Sequence, residues 1–102
     1  MNDRATWLSY EFTICQREGQ WNNVAGIYIF AGLNPLGLWV PYYIGQCDSF
    51  QGRIPSHELW DKARSFGATH VHAMTVSLAA DRDAIEQKLI QACHPPLNTQ
   101  LR

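Results

Sequence analysis

Arg53 and His57 stand four residues apart, a spacing that on a helix places a permanent cation and a near-neutral base on the same face. Two tyrosines, Tyr28 and Tyr43, and one acid, Glu86, add phenol hydroxyls and a carboxylate able to hold a hard metal ion. Hydrolysis of a phosphodiester needs an activated water, a cation for the growing phosphate charge and stabilisation of the leaving oxygen. These residue types can supply all three if the fold brings them together.

The strands expected to carry the tyrosines are short and apolar. Residues 25–30 and 40–44 flank a stretch with glycine and proline, which predicts two antiparallel strands joined by a rather long hairpin loop. Alternating side chains over residues 70–77 predict a third central strand. Residues 8–15 alternate as well, and they can supply an extra strand before this unit.

Two helical regions complete the pattern. Spacings of three and four residues between Arg53, His57, Trp60 and Arg64 predict a helix, or a broken helix, that ends near residue 66. Asp81 opens the clearest helix, which stops at His94-Pro95-Pro96. Its apolar stripe consists of Ile85, Leu89, Ile90 and Cys93. The tail, residues 97–102, is expected to fold back on the core.

The elements together predict an α/β (α+β) fold with a small central antiparallel sheet of about three strands flanked by helices. A chain of 102 residues suits one domain, with residues 1–23 as an N-terminal extension and residues 24–102 as the domain itself. No long apolar run and no signal-like N-terminus are visible, so the sequence predicts a soluble, cytoplasmic protein that does not bind membranes.

The cysteines and the charge bound the function further. Cys15, Cys47 and Cys93 are odd in number and widely spaced, which argues against a disulfide framework and a thiolate metal site. A formal net charge of -1 fits poorly with strong unaided binding to nucleic acid, although a local basic strip would suffice.

The order of the candidate residues resembles the two-part signature of the GIY-YIG nuclease superfamily. Gly26-Ile27-Tyr28 and Tyr43-Ile44-Gly45 match the two tripeptides, and the further residues follow in the family's order. These are Arg53, His57, Glu86 and Asn98, the last within Pro96-Leu97-Asn98. The match spans about residues 24–100. Two features depart from the family: the loop between the tripeptides is longer than usual, and Tyr42 beside Tyr43 offers a second alignment of that tyrosine. Alternation along a strand lets only one of them face the site.

The resemblance implies a GIY-YIG nuclease-like fold and a metal-dependent DNA endonuclease. Glu86 would hold Mg²⁺ or Mn²⁺, and Arg53 would clamp the scissile phosphate. Tyr28 and Tyr43 would contact the attacking water, with His57 taking the proton from Tyr28 or from that water. Asn98 would orient a neighbour or a backbone turn. The expected catalytic set is therefore Tyr28, Tyr43, Arg53, His57, Glu86 and Asn98.

Other functions remain open at the level of sequence. The fold could serve as a catalytically weak DNA- or protein-binding module, or the tripeptides could coincide on an unrelated fold. Double-stranded or branched DNA is the expected substrate, reached through a homodimer or a targeting partner protein because no targeting domain is visible. His70 and His72 without a C-x-x-C pair do not favour zinc, and the four tryptophans are expected to fill the core.

Overall fold

The computed structural model describes residues 3–99, which form a five-stranded antiparallel sheet with helices on both faces. The strands are β1 (Arg4–Trp7), β2 (Tyr10–Cys15), β3 (Gly26–Leu33), β4 (Trp39–Cys47) and β5 (His70–Thr75), in the order β1-β2-β5-β3-β4. The helices are α1 (Phe50–Arg53), α2 (Trp60–Phe66), α3 (Ala79–Cys93) and α4 (Pro96–Thr99). The predicted sheet of about three strands is therefore wrong, although the α+β arrangement holds.

The two additional strands come from the N-terminal extension. β2 pairs with β5, with Ile14 opposite His72, and β1 pairs back onto β2. The β1–β2 turn is formed by Leu8 and Ser9, whose φ values of 52° and 69° are those of a type I′ hairpin turn. Such turns normally contain Asn and Gly, so the sequence carries no turn signal at this point. Residues 1–2 and 100–102, at the two ends of the chain, lie outside the described residues.

The β3–β4 hairpin is longer than predicted because both strands continue into the expected loop, leaving only residues 34–38 as the connection. Phe30 pairs with Tyr43, but the next residue, Ala31, pairs with Pro41, so Tyr42 is the extra residue of a β-bulge. The strand lies at the sheet edge, where a proline and a bulge are tolerated.

The sheet separates two apolar clusters. The first, called the α1–α2 face, contains Tyr28, Phe30, Phe50, Ile54 and Trp60. The second, called the α3 face, contains Phe12, Ile27, Ile29, Ile44 and Leu89. Alternation along β3 assigns neighbouring residues to opposite clusters, so Tyr28 faces α1 and α2 whereas its neighbours face α3.

The expected helix through Arg53 and His57 is broken. α1 ends at Arg53, and α2 begins only at Trp60, so His57 lies in the connection between two helices. The Ser49 side chain caps α1 by accepting the Gly52 N–H. α3 begins two residues before Asp81 and ends at Cys93, with His94 left-handed at its C-cap. Within residues 3–99, no helix combines the length and apolar character needed to cross a bilayer.

Candidate active site

The glycines of the two tripeptides make room for aromatic side chains. Tyr28 pairs with Gly45 across the β3–β4 ladder, and a Cβ atom at Gly45 would lie only 2.5 Å from the Tyr28 hydroxyl oxygen. A Cβ at Gly26 would lie 2.2 Å from the Met74 carbonyl oxygen and 2.5 Å from the Phe50 ring. Real Cβ atoms do not approach other atoms this closely. Gly45 thus lets the Tyr28 ring lie over β4, and Gly26 lets α1 pack against β3.

Tyr28 and His57 form the central polar contact, with 2.8 Å between the Tyr28 Oη and the His57 Nε2. The other ring nitrogen, Nδ1, accepts the Leu59 backbone N–H at 3.1 Å. Because a backbone N–H can only donate, Nδ1 carries no proton, and a neutral His57 must carry its proton on Nε2. His57 therefore donates to Tyr28. In this arrangement it cannot take the proton of Tyr28, which differs from the expected role.

Burial keeps His57 neutral and Tyr28 protonated in the free protein. Burial lowers the pKa of His57 to about 4, and the Arg53 charge acts in the same direction, while Glu58 opposes it. Burial raises the pKa of Tyr28, Tyr43 raises it further, and Arg53 opposes the shift. A phenolate at Tyr28 thus depends on the cations and donors around its oxygen.

Tyr43 completes an aromatic group around His57. The Tyr43 ring centroid lies 5.4 Å from that of His57 and 6.2 Å from that of Tyr28. Burial raises the pKa of Tyr43, and the nearby Glu86 charge raises it further. Tyr42 packs against the same cluster, because the bulge interrupts alternation, but a Cβ atom at Gly67 would lie 2.6 Å from its hydroxyl. The premise that only one tyrosine can face this side is wrong, and Tyr43 is the one beside His57.

Arg53 is the positively charged residue of the site. Its guanidinium makes two parallel hydrogen bonds to Glu58, with NH1–Oε1 at 2.7 Å and NH2–Oε2 at 2.9 Å. These bonds lower the pKa of Glu58 to about 2. The pair is solvent-exposed, with 37% of the Arg53 side chain and 65% of the Glu58 side chain accessible. Exposed ion pairs of this kind contribute only about 0–1 kcal/mol, so the carboxylate can be exchanged for another anion.

Glu86 lies at the edge of the sheet beside β4. Its Oε1 accepts the Gln46 side-chain amide at 2.9 Å, and Asp83, one turn earlier on α3, accepts from the same amide nitrogen at 2.7 Å. The amide orientation follows from Arg82, whose Nε donates to the Gln46 Oε1 at 3.3 Å. Burial raises the pKa of Glu86, and the Gln46 hydrogen bond opposes that shift. A partly desolvated carboxylate beside a second acid is a donor set that suits Mg²⁺, which commonly takes one or two carboxylates and completes its shell with water and phosphate oxygens.

Arg82 is a buried cation that anchors this edge, with only 6% of the residue exposed. Its guanidinium NH1 donates to the carbonyl oxygens of Val76 and Ser77, at 3.0 and 2.9 Å, and its NH2 contacts Asp48 at 3.1 Å. These bonds tie the end of β5 and the β4–α1 connection to α3, which fixes Gln46 against the two acids.

Asn98 clamps the backbone of β4. Its Oδ1 accepts the Ile44 N–H and its Nδ2 donates to the Ile44 carbonyl oxygen, both at 2.8 Å. The side chain therefore pairs with the free edge of β4 like a short strand, at the residue between Tyr43 and Gly45. Asn98 holds the second tripeptide in position and makes no contact that would assign it to a substrate.

The residues considered for zinc are separated by the sheet. His72 lies in the α3-face core, where its Nδ1 accepts the Trp7 indole N–H at 3.0 Å, whereas Cys47 belongs to the α1–α2 face. Across residues 3–99, no group of three or more His, Cys, Asp or Glu side chains is arranged to hold a metal. Glu86 with water ligands is a different kind of site from such a cluster.

Gln46, Glu58, Asp83 and Arg82 were not singled out from the sequence. Arg82 did carry a signal, because it precedes Ile85 by three residues and Leu89 by seven, an apolar-stripe position occupied by a cation. Gln46 follows the second tripeptide directly, and strand alternation places it with Ile44 on the α3 face. Glu58 has no such signal, since an exposed acid five residues after an arginine is ordinary.

Comparisons of this chain with protein-family models, curated proteins and solved structures found no match. The resemblance to GIY-YIG nucleases therefore remains a prediction from the motif residues.

Proposed function

We propose that this protein is a metal-dependent endonuclease that hydrolyses phosphodiester bonds in DNA, with the architecture of the GIY-YIG nucleases. The observation that carries the proposal is the polar group at the α1–α2 face, where the Tyr28 hydroxyl meets His57 at 2.8 Å beside Tyr43 and Arg53. Of the residues chosen by type and order, Tyr28 and Tyr43 lie on the paired strands β3 and β4, and His57 contacts Tyr28. This arrangement supports the proposal over a chance coincidence of tripeptides on an unrelated fold.

In the proposed reaction, a water oxygen attacks phosphorus and the bond to the leaving oxygen breaks. Tyr28 first gives up its hydroxyl proton to bulk solvent. The phenolate then accepts the proton of the attacking water, and the leaving oxygen takes its proton from solvent. The His57 Nε2–H donates to the Tyr28 oxygen and the Arg53 charge lies nearby, and both favour the phenolate. Tyr43 is placed to donate a hydrogen bond to the same water or to a phosphate oxygen. This division of roles makes His57 a donor to Tyr28, not the base.

The reaction also requires stabilisation of the negative charge that develops on the phosphate. The Arg53 guanidinium offers two parallel donors that match two phosphate oxygens. Glu86, with Asp83 beside it, would hold Mg²⁺ or Mn²⁺, which supplies charge neutralisation and stabilisation of the leaving oxygen. Gln46 and Arg82 keep Glu86 oriented, and Asn98 keeps β4 in register with Tyr28.

The substrate is double-stranded or branched DNA in this proposal. A net charge of -1 gives the domain little general attraction for a phosphate backbone. A second copy or a targeting partner would therefore raise the local concentration of DNA at the site. A DNA substrate also agrees with the cytoplasmic location that the sequence predicts.

The proposal is tested with purified protein on supercoiled plasmid and on a branched oligonucleotide, in Mg²⁺ or Mn²⁺ and in EDTA. Glu86→Ala removes the proposed metal carboxylate, and Asp81→Ala, an exposed acid in the first turn of the same helix, is the matched control. Cutting that requires metal and is lost only in Glu86→Ala is the expected result. Folded wild-type protein that binds either DNA without cutting it would instead favour the binding-module function.

A further inference from the structure

The strongest unassigned contact in the site is the two-pronged ion pair between Arg53 and Glu58. Guanidinium groups bind carboxylates and phosphates through the same pair of parallel N–H donors. Glu58 uses both of its oxygens, at 2.7 and 2.9 Å, so it fills the face of Arg53 that a phosphate would use. Nothing in the proposed reaction requires a carboxylate at that position.

We propose that Glu58 is an internal mimic of the substrate phosphate, which covers the anion-binding face of Arg53 and must be displaced when nucleic acid binds. The inference rests on the proposed function, because it takes Arg53 as the residue that receives the scissile phosphate. Glu58 is thereby a specificity-determining residue. It yields to a phosphate that is held by further contacts along a DNA backbone.

The placement of Glu58 allows such an exchange. The side chain is 65% exposed and hydrogen-bonds only to Arg53 among the side chains of residues 3–99, so it can turn into solvent without disturbing the core. The neighbouring residues are fixed, because His57 is buried and held by Tyr28 and by the Leu59 N–H. The anion on Arg53 is therefore mobile, whereas the proton-handling pair beside it is rigid.

The chain offers a matched control for this proposal. Glu11 on β2 also pairs with an arginine, Arg4, at 2.7 Å, and 59% of its side chain is exposed. Glu58→Gln and Glu11→Gln therefore remove the same charge from two glutamates of similar exposure, one inside the candidate site and one outside it. Any general electrostatic gain in DNA affinity is common to both variants.

The first measurement is the affinity for a short fluorescein-labelled DNA duplex in EDTA, followed by anisotropy. Glu58→Gln should bind about twofold to fivefold more tightly than Glu11→Gln, since removal of an exposed competing ion pair is a small effect. In an Arg53→Ala background, Glu58→Gln should raise the affinity no more than Glu11→Gln does. Equal affinities for the two single variants, or a gain over Glu11→Gln that persists without Arg53, would overturn the proposal.

The second measurement separates this inference from the nuclease proposal. Inorganic phosphate, titrated while the Arg53 side-chain N–H is followed by NMR, should bind more tightly to Glu58→Gln than to wild type or Glu11→Gln, whether or not any variant cuts DNA. Where cutting occurs, Glu58→Gln should lower KM and leave kcat unchanged. A lower kcat at unchanged KM would make Glu58 part of the catalytic chemistry and contradict its role as a mimic.

Discussion

The protein contains two buried histidines on opposite sides of one sheet, and their surroundings differ. His57, on the α1–α2 face, contacts the Tyr28 hydroxyl and lies beside Arg53. His72, on the α3 face, accepts the Trp7 indole N–H and packs edge-on against Trp39, with ring centroids 4.4 Å apart. Burial lowers the pKa of both to about 4. A lowered histidine pKa therefore does not distinguish a candidate active site from a hydrophobic core. The polar groups that contact the histidine do distinguish them.

The hydrogen bonding of the second ring nitrogen, Nε2, differs between the two histidines as well. With Nδ1 of His72 accepting, its Nε2 carries the proton and has no hydrogen-bond partner within residues 3–99. The proton on His57 Nε2 points instead to a hydroxyl whose ring lies over Gly45 at the edge strand. The core histidine is a packing element with one unsatisfied donor, and the site histidine passes its hydrogen bond toward reactive groups.

The largest expected difference concerns catalysis. His57→Gln should reduce DNA cleavage by about 10²–10³-fold, because it removes the imidazole donor that favours the Tyr28 phenolate. His72→Gln keeps an acceptor for Trp7 and should leave cleavage per folded molecule unchanged. Rates would be normalised to the folded fraction measured by circular dichroism. Equal losses in both folded variants would erase the proposed distinction between the two faces.

The next effect is the pH dependence of stability, in which both histidines should act alike. Their folded pKa values of about 4 lie below the unfolded value of about 6.5, so the unfolded chain binds more protons between these limits. Stability is thus fully present above pH 6.5 and falls as the pH drops toward 4, by about 3 kcal/mol per histidine. Burial raises the pKa of Glu86, which opposes the trend weakly.

Urea unfolding at several pH values checks this prediction. His57→Gln should remove about half of the fall in the free energy of unfolding. A wild-type stability that stays flat between pH 6.5 and 4.5 would show that neither histidine is buried as described.

Backbone space at the site gives a third prediction. Gly45→Ala places a methyl group against the Tyr28 hydroxyl and should cost about 1–3 kcal/mol of stability. Displacement of Tyr28 should also slow cleavage by about 10²-fold. Gly52→Ala in α1 is the control, because its Cβ would make only an ordinary 3.6 Å contact with Ser49. If Gly52→Ala lost cleavage activity while Gly45→Ala kept it, the role given to Gly45 would be contradicted.

The smallest effect lies farthest from the site, in the β1–β2 turn. Leu8 and Ser9 both have positive φ, which Asn and Gly adopt with less strain. The double change Leu8→Asn/Ser9→Gly should raise the free energy of unfolding by about 1–2 kcal/mol and leave cleavage unchanged. A lower urea midpoint at constant m-value would count against the described turn.

This turn also explains where sequence reasoning failed. Short apolar, β-branched runs predicted β3 and β4, alternation predicted β5 and an extra strand over residues 8–15, and helical spacing predicted α3. β1 has only four residues and is joined by a turn without Gly or Asn, so nothing in the sequence separates it from a loop. The count of strands was wrong because β1 was missed and because the strand expected over residues 8–15 was not counted in the central sheet.

The candidate site, like the fold, could be predicted from the sequence only in part. Types and order predicted which residues to examine, from Tyr28 to Asn98. The bulge at Tyr42 and the proton position on His57 depend on tertiary contacts that no local pattern encodes. Glu58 became visible only when its two hydrogen bonds to Arg53 were located.

The most direct test measures the rate at which the protein, in Mg²⁺, converts supercoiled plasmid to nicked or linear DNA. The rate is compared between wild type, Tyr28→Phe and Tyr42→Phe. Both variants lose one hydroxyl from the same face of the sheet, but only Tyr28 contacts His57. The account predicts that wild type and Tyr42→Phe cut at similar rates, whereas Tyr28→Phe is slower by about 10²–10⁴-fold. Undiminished cutting by folded Tyr28→Phe would contradict it.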